Sequence, residues 1–275
     1  MHNPSELFDT KALSKHRTRA AKSGNAAWFL HEFAADCIHE RLQDINRIFT
    51  QPAFVGWNPD IWQKTLLLGG TTVPDAAVID LPVQAHDLII NGLTLHWAND
   101  LVGQLVQMRR GLKPDGLMVA TMFGGETLNE LRTAFAEAEA RIEGGISPRV
   151  APMAEIRDLG ALLQRAGFAL PVADSITLTV EYDTSIHLMN DLRNMGETNA
   201  LITRRRILKR ETLAMAADVY SSNYTNASGR IRATFEFVFL TGWAPSEDQQ
   251  KPLRPGTARQ RLADALGVAE HDADY

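Results

Sequence analysis

Four short apolar runs that end at glycine or tryptophan constrain this chain most. They are PAFVGW at 52–57, TLLLGG at 65–70, HDLIINGLTLHW at 86–97 and LMVATMF at 117–123, the last followed by Gly124 and Gly125. Short apolar runs bounded by turn signals read as strands buried on both faces. The stretches around them read as helices. Phe29, Phe33, Cys37, Ile38, Leu42, Ile45 and Phe49 recur at helical spacing. Residues 100–112, about 126–141 and about 153–166 also read as helices, the last stopped by Gly167. Lys113-Pro114-Asp115-Gly116 marks a turn, and 76–80 is a candidate third extended piece. SITLTVEYD at 175–183 alternates as a half-buried strand does. TFEFVFLTGW at 234–243 reads as a long strand, and 184–228 reads as helices. Alternation of strand and helix implies a mostly parallel sheet covered on both faces, an α/β protein.

Length and charge exclude several classes. The 275 residues fit one large α/β domain with an insertion. A net charge of −5 gives no basic footprint for nucleic acid. The single cysteine, Cys37, provides neither an internal disulfide nor a structural zinc site and favours a reducing compartment. We expect a cytoplasmic protein, or one of the mitochondrial matrix in a eukaryote. No apolar run approaches the ~20 residues of a transmembrane helix. The N-terminus lacks a secretory h-region and reads as a basic helix of the mature protein. The expected organisation is an N-terminal helical segment (1–50), a core (51–183), a helical insertion or lid (184–230), a final edge strand (231–243) and a C-terminal arm (244–275).

Several segments, in order, carry a family resemblance: LTLHWAND (93–100), the Lys113–Gly116 turn, TMFGGETLNELR (121–132), EGGISPRVAP (143–152), DLGALLQRAGF (158–168), DLRNMGETNA (191–200) and ATFEFVFLTGW (233–243). Together they cover well over half the chain and resemble the methyltransferase-like complex I assembly factors. That resemblance implies a class I methyltransferase sheet with an antiparallel edge strand, and S-adenosylmethionine as the cofactor. It also implies a protein partner, a peripheral subunit of respiratory complex I, and arginine hydroxylation as the associated chemistry. The fold is similar, too, to the malonyl carrier-protein methyltransferases, so an active methyltransferase on a small molecule or carrier protein is the alternative.

The cofactor segment departs from that pattern. A working enzyme of this class has a Gly-x-Gly-x-Gly loop after its first strand, because glycine lets the backbone approach the cofactor. Here only Gly56 stands there, followed by Trp57 and Pro59. With TLLLGG as second strand, Gly69 and Gly70 replace the acidic residue that should hold the ribose. Seven residues, 58–64, then separate the strands, too few for a parallel crossover. These features predict a truncated first β-α-β unit and degraded cofactor binding.

Candidate site residues follow from position. Ligands of open α/β sheets sit at the C-terminal strand ends. Gly56, Trp57, Asn91, Gly92 and Trp97 are therefore cofactor candidates. His96 is a candidate base or hydrogen-bonding group, or packs with Trp97 at a helix start. Glu126 and Glu197 are candidate catalytic carboxylates, able to grip a guanidinium in bidentate fashion. Gly124, Gly125, Gly144, Gly145, Ser147, Met195 and Asn199 are candidates for substrate or partner contact; Gly124 and Gly125 equally serve a turn. Arg204, Arg205, Arg206, Lys209 and Arg210 read as a solvated helix face, with an acidic partner or peripheral contact with an anionic membrane as alternatives. No residue set has the spacing of a metal site.

Overall fold

The computed structural model describes residues 6–23, 27–203 and 207–249. The chain divides into two compact units, Met1–Pro245 and Ser246–Tyr275. Most of the expected C-terminal arm, and Arg204–Arg206 of the basic run, lie outside the described residues.

Six strands form one sheet: β1 (Pro52–Val55), β2 (Thr71–Val73), β3 (His86–Gly92), β4 (Leu112–Phe123), β5 (Ala169–Tyr182) and β6 (Ile231–Trp243), in the order β2-β1-β3-β4-β6-β5. The pairs among β1 to β4 are parallel, whereas β6 runs antiparallel to both β4 and β5. Eight helices among the described residues surround it: α1 (Thr10–Lys22), α2 (Phe29–Gln43), α3 (Pro59–Leu66), α4 (Leu101–Gly111), α5 (Asn129–Glu143), α6 (Ile156–Arg165), α7 (Ser185–Asn194) and α8 (Arg210–Tyr224). This is the class I methyltransferase arrangement, with α7 and α8 inserted between the last two strands.

The strand pleat sends alternate side chains to opposite faces. Leu88 and Ile90 of β3 join the core beneath α2, α5 and α8, while Ile89 joins the core beneath α4 and α6. All three are at most 1% exposed, so each contributes about 1.5–3 kcal/mol by burial. A third cluster of Phe8, Leu13, Trp97, Ala151, Ala200 and Leu201 fastens the segment before α1 to the insertion. The backbone N–H of Asp9 donates to Ala200 O at 2.7 Å there.

Two expectations are corrected. TLLLGG is not a strand: its first two residues finish α3, Leu67 takes a left-handed C-cap (φ 55°), and β2 is the three residues Thr71–Val73. The crossover from Val55 to Thr71 therefore holds an eight-residue helix, with Pro59 in its first turn where a missing N–H costs nothing. Residues 76–80 form no strand. They run along α4, with Ile79 N–H donating to Gln107 Oε1 at 2.7 Å and Gln107 Nε2 to Ala77 O at 3.0 Å. The Lys113–Gly116 turn lies inside β4, between the pairs His86–Leu112 and Leu88–Leu117, with Asp115 at φ 59°.

Candidate functional site

The C-terminal ends of β1, β3 and β4 meet the loop after α7, and there the structure brings His96, Trp97 and Glu197 together. Thr94 precedes a single 3-10 turn, Leu95–Trp97, which projects both rings toward the insertion. His96 Nε2 lies 3.0 Å from Glu197 Oε2, and Trp97 Nε1–H donates to the same oxygen at 2.8 Å. The side chains of the His96–Glu197 pair are 1% and 4% exposed. Glu197 Oε1 has no hydrogen-bond partner. Burial works to raise the Glu197 pKa. The charge and hydrogen bond of His96, with Arg17 and His31, outweigh it and hold the carboxyl below its usual range.

Beyond this carboxylate opens a cavity of about 520 Å³, walled by Phe123, Leu131, Phe135, Met189, Leu213 and Phe235, with Trp97, Glu197, Asn199, Arg149 and Arg193 among its polar members. It lies between α5, the loop after it, and the α7–α8 insertion. Asn199 Nδ2 ties that insertion to the loop, donating to Pro148 O at 2.8 Å and Arg149 O at 2.9 Å. Arg149 Nε in turn binds the buried Glu139 at 2.6 Å.

On the other side of Trp97 lies a second cavity, of about 950 Å³, at the ends of β1 and β2 and under α1. Its wall includes Arg17, Trp57, Asp75, Thr94 and Gln104. Asp75 follows β2 by two residues, in the place where an acid was sought at Gly69-Gly70, and Arg17 Nη1 donates to its Oδ2 at 2.5 Å. Trp57 stands directly after Gly56, whose N–H donates to Val73 O at 3.0 Å. Trp57 packs on Trp28 (centroids 4.9 Å) and stands 6.2 Å from the His31 ring, while Trp62 stands 6.1 Å from that ring. Trp62 also lies on Gly92, so closely that a Cβ there would fall 2.2 Å from Cε2 of the indole. His31 is 1% exposed with neither ring nitrogen hydrogen bonded, and burial lowers its pKa to about 4. Asn91 is fully buried, its Oδ1 accepting from Thr94 Oγ at 2.9 Å.

The remaining candidates sit elsewhere or do other work. Glu126 is exposed and accepts from Asn129 Nδ2, so it does not share the buried cluster of His96 and Glu197. Gly124 and Gly125 make room for Glu236 and Glu155, whose oxygens lie 2.5 and 2.4 Å from a Cβ built at each. That close approach accounts for both glycines by packing. Gly144 is the left-handed cap of α5 (φ 66°), Gly145 meets nothing within 4 Å, and Ser147 N–H donates to Glu139 at 2.5 Å. Met195 is fully buried core. Arg17 and His31 carry no signal of a site in the sequence, and Asp75 reads there as lying too late for the ribose-holding acid. The first two lie on N-terminal helices, and Asp75 comes into place because β2 is Thr71–Val73 rather than TLLLGG. No group of three metal-ligating side chains occurs among the described residues.

No family model matches the chain. Curated relatives do. The protein of Rattus norvegicus named "Arginine-hydroxylase NDUFAF5, mitochondrial" is 40% identical over 285 residues, spanning 94% of this chain and 83% of that one. The chain belongs to the NDUFAF5 family. A Dictyostelium discoideum protein of the same name is 42% identical over 187 residues, 68% of this chain and 43% of its own length. The family's sheet is shared more widely: a "Malonyl-[acyl-carrier protein] O-methyltransferase" of Xylella fastidiosa is 34% identical over 188 residues, 68% of this chain and 60% of that one.

Proposed function

We propose that this chain is a divergent member of its family that holds an arginine of a protein partner, by resemblance a peripheral subunit of respiratory complex I. The observation that carries this reading is Glu197. Its carboxylate is buried and charged at the end of an apolar cavity, with Oε1 unpartnered. A guanidinium satisfies such a group: it brings the opposite charge and donors in a planar fork. The aliphatic stem of an arginine suits the Leu131, Phe135 and Met189 walls. The aromatic faces of Trp97 and Phe123 favour a planar cation. Glu139 already neutralises Arg149, one of the two arginines in the wall.

Three features of the crevice speak against S-adenosylmethionine in the ordinary mode of the fold. Trp57 occupies the position of a second loop glycine, Trp62 covers Gly92, and Arg17 holds the acid after β2. These features support a reading of degraded cofactor binding, and we assign no chemical step through it. The reading is tested in cells lacking the gene, complemented with the wild type, Glu197→Gln or Glu126→Gln. Complex I should fall on deletion and return with the wild type and E126Q but not with E197Q. Normal complex I after deletion, or full rescue by E197Q, contradicts it. A gain of one oxygen on an arginine of the partner, seen by mass spectrometry only when the gene is present, would add hydroxylation to partner binding.

A second reading, an active methyltransferase on a small molecule or carrier protein, draws on specific observations too. The α3 crossover is present, Asp75 follows β2, and a cavity of about 950 Å³ adjoins both. Calorimetry with S-adenosylhomocysteine separates the two readings.

A further inference from the structure

Two arginines meet at the loop after α7 with no carboxylate partner among the described residues. Arg193, in the last turn of α7, is exposed and lines the apolar cavity beside Glu197. Arg19, on α1, reaches the same loop and donates from Nη2 to Thr198 Oγ at 3.3 Å. Thr198 directly follows Glu197 and is itself part of the cavity wall. Arg19 Nε is buried without a hydrogen-bond partner, so its guanidinium is only partly satisfied. Neither arginine belongs to an ion pair among the described residues. Burial, and then the charge of Arg193, lower the pKa of Arg19, as two like charges do when no anion stands by them.

The fold sets this pair in place. The backbone of α1 approaches Gly196 (φ 80°) so closely that a Cβ there would lie 3.2 Å from Arg17 Cα. His16 Nδ1 lies 3.1 Å from Thr198 O, so α1 holds residue 198 at both its carbonyl and its hydroxyl. The carboxylates of the surrounding elements are spent elsewhere. Asp9 caps α1 at Ala12 N–H (2.9 Å), Asp75 accepts from Arg17, and Glu197 Oε2 accepts from Trp97. Burial raises the pKa of Asp191 on α7, which weakens it as a counter-charge. The C-terminal dipole of α7 favours Arg193 but supplies only about half a charge. Two cations at the rim of the cavity thus lack a full anion.

We propose that Arg19 and Arg193 seat an acidic side chain of the same partner segment whose arginine enters the cavity at Glu197. The inference rests on the arginine reading above and adds the neighbour which that arginine must have. Charges alternate along the rim. The Glu197 carboxylate takes the partner's cation, and the two arginines on either side of Thr198 take its anion. A guanidinium presents a planar fork to a carboxylate, so glutamate or aspartate fits this place. A partner segment with a basic residue there meets two uncompensated like charges and is rejected.

The test uses blocked, fluorescein-labelled alanine peptides with one central arginine. A glutamate or a glutamine is placed in turn at each position up to roughly four residues to either side, the reach of an extended chain across the rim. Each peptide is titrated with the full-length protein and followed by fluorescence anisotropy. At one or two offsets glutamate should bind about fivefold tighter than glutamine, the worth of one exposed ion pair. Lysine at those offsets should bind more weakly than glutamine. Arg193→Gln should bring the ratio of glutamate to glutamine affinity close to unity, and Arg19→Gln should do the same. Arg193 is exposed, so R193Q decides the matter should R19Q fail to fold. Arginine peptides that bind with no preference for glutamate at any offset, or a preference that survives R193Q, overturn the proposal and leave the arginine reading standing. A glutamate preference that is lost in R193Q but persists when the central arginine is replaced by glutamine supports the acid seat and overturns the arginine reading. No binding of any peptide at roughly millimolar concentration overturns both.

Discussion

The two halves of the sheet's C-terminal rim are built from similar strands and finished differently. At the ends of β1 and β3, two tryptophans and His31 pack against the strand ends, and a buried ion pair joins α1 to the loop after β2. At the end of β4 and the first half of β6, under α7 and α8, the walls stop short of each other and leave an apolar space beside one carboxylate. The same core thus supports a polar cavity of about 950 Å³ bordered by an ion pair and an indole, and an apolar pocket of about 520 Å³ beside a buried carboxylate. What separates them is a few side chains in loops and short helices, not the strands. Function is therefore to be read from the rim rather than from the sheet.

The sharpest way to break this comparison is to thin the tryptophan packing of the first half. Trp62→Ala removes an indole that is 2% exposed and should cost about 3–5 kcal/mol in denaturant unfolding. Met189→Ala, in the wall of the apolar pocket, should cost clearly less, because its side chain already borders space. Equal losses would mean that the two halves are packed alike.

Acid probes the same contrast. His31 has its pKa lowered to about 4 in the folded chain from an ordinary 6.5, so the unfolded state binds its proton first. Stability from this group is present above pH 6.5 and is lost as pH falls through 4, up to about 3 kcal/mol. Glu197, lowered from an ordinary 4.5, adds a further loss below that value. His31→Phe should flatten the stability profile between pH 6.5 and 4, measured by urea unfolding at successive pH values. An unchanged slope would remove His31 from the account.

Smaller effects sharpen the picture. Asp75→Asn leaves Arg17 buried beside a neutral partner and should destabilise by about 1–3 kcal/mol. At the low end, Gly145→Ala meets nothing within 4 Å and should change the melting midpoint by no more than about 0.5 kcal/mol equivalent.

Much of the fold was legible because β1, β3, β4 and β6 are buried or alternating runs of ordinary length. The exception was β2. Three residues, TTV, with two of them exposed, carry almost no apolar signal, while the stronger run TLLLGG belongs to a helix end and the loop after it. Asn58-Pro59-Asp60 was the sign of a helix start that the apolar run concealed. With the strand set at TLLLGG, Asp75 falls too late for the ribose-holding acid and the crossover looks too short. His96 and Glu197 could be named from the sequence, but their pairing could not, because 101 residues separate them. Arg17 and His31 acquire meaning only when α1 and α2 fold over the strand ends.

The most direct measurement is calorimetric titration of the purified protein with S-adenosylmethionine and S-adenosylhomocysteine. A crevice in which Trp57 follows the loop glycine, Trp62 covers Gly92 and Arg17 holds Asp75 predicts no binding at roughly millimolar ligand. Micromolar affinity would contradict it and make the chain a working cofactor-binding enzyme.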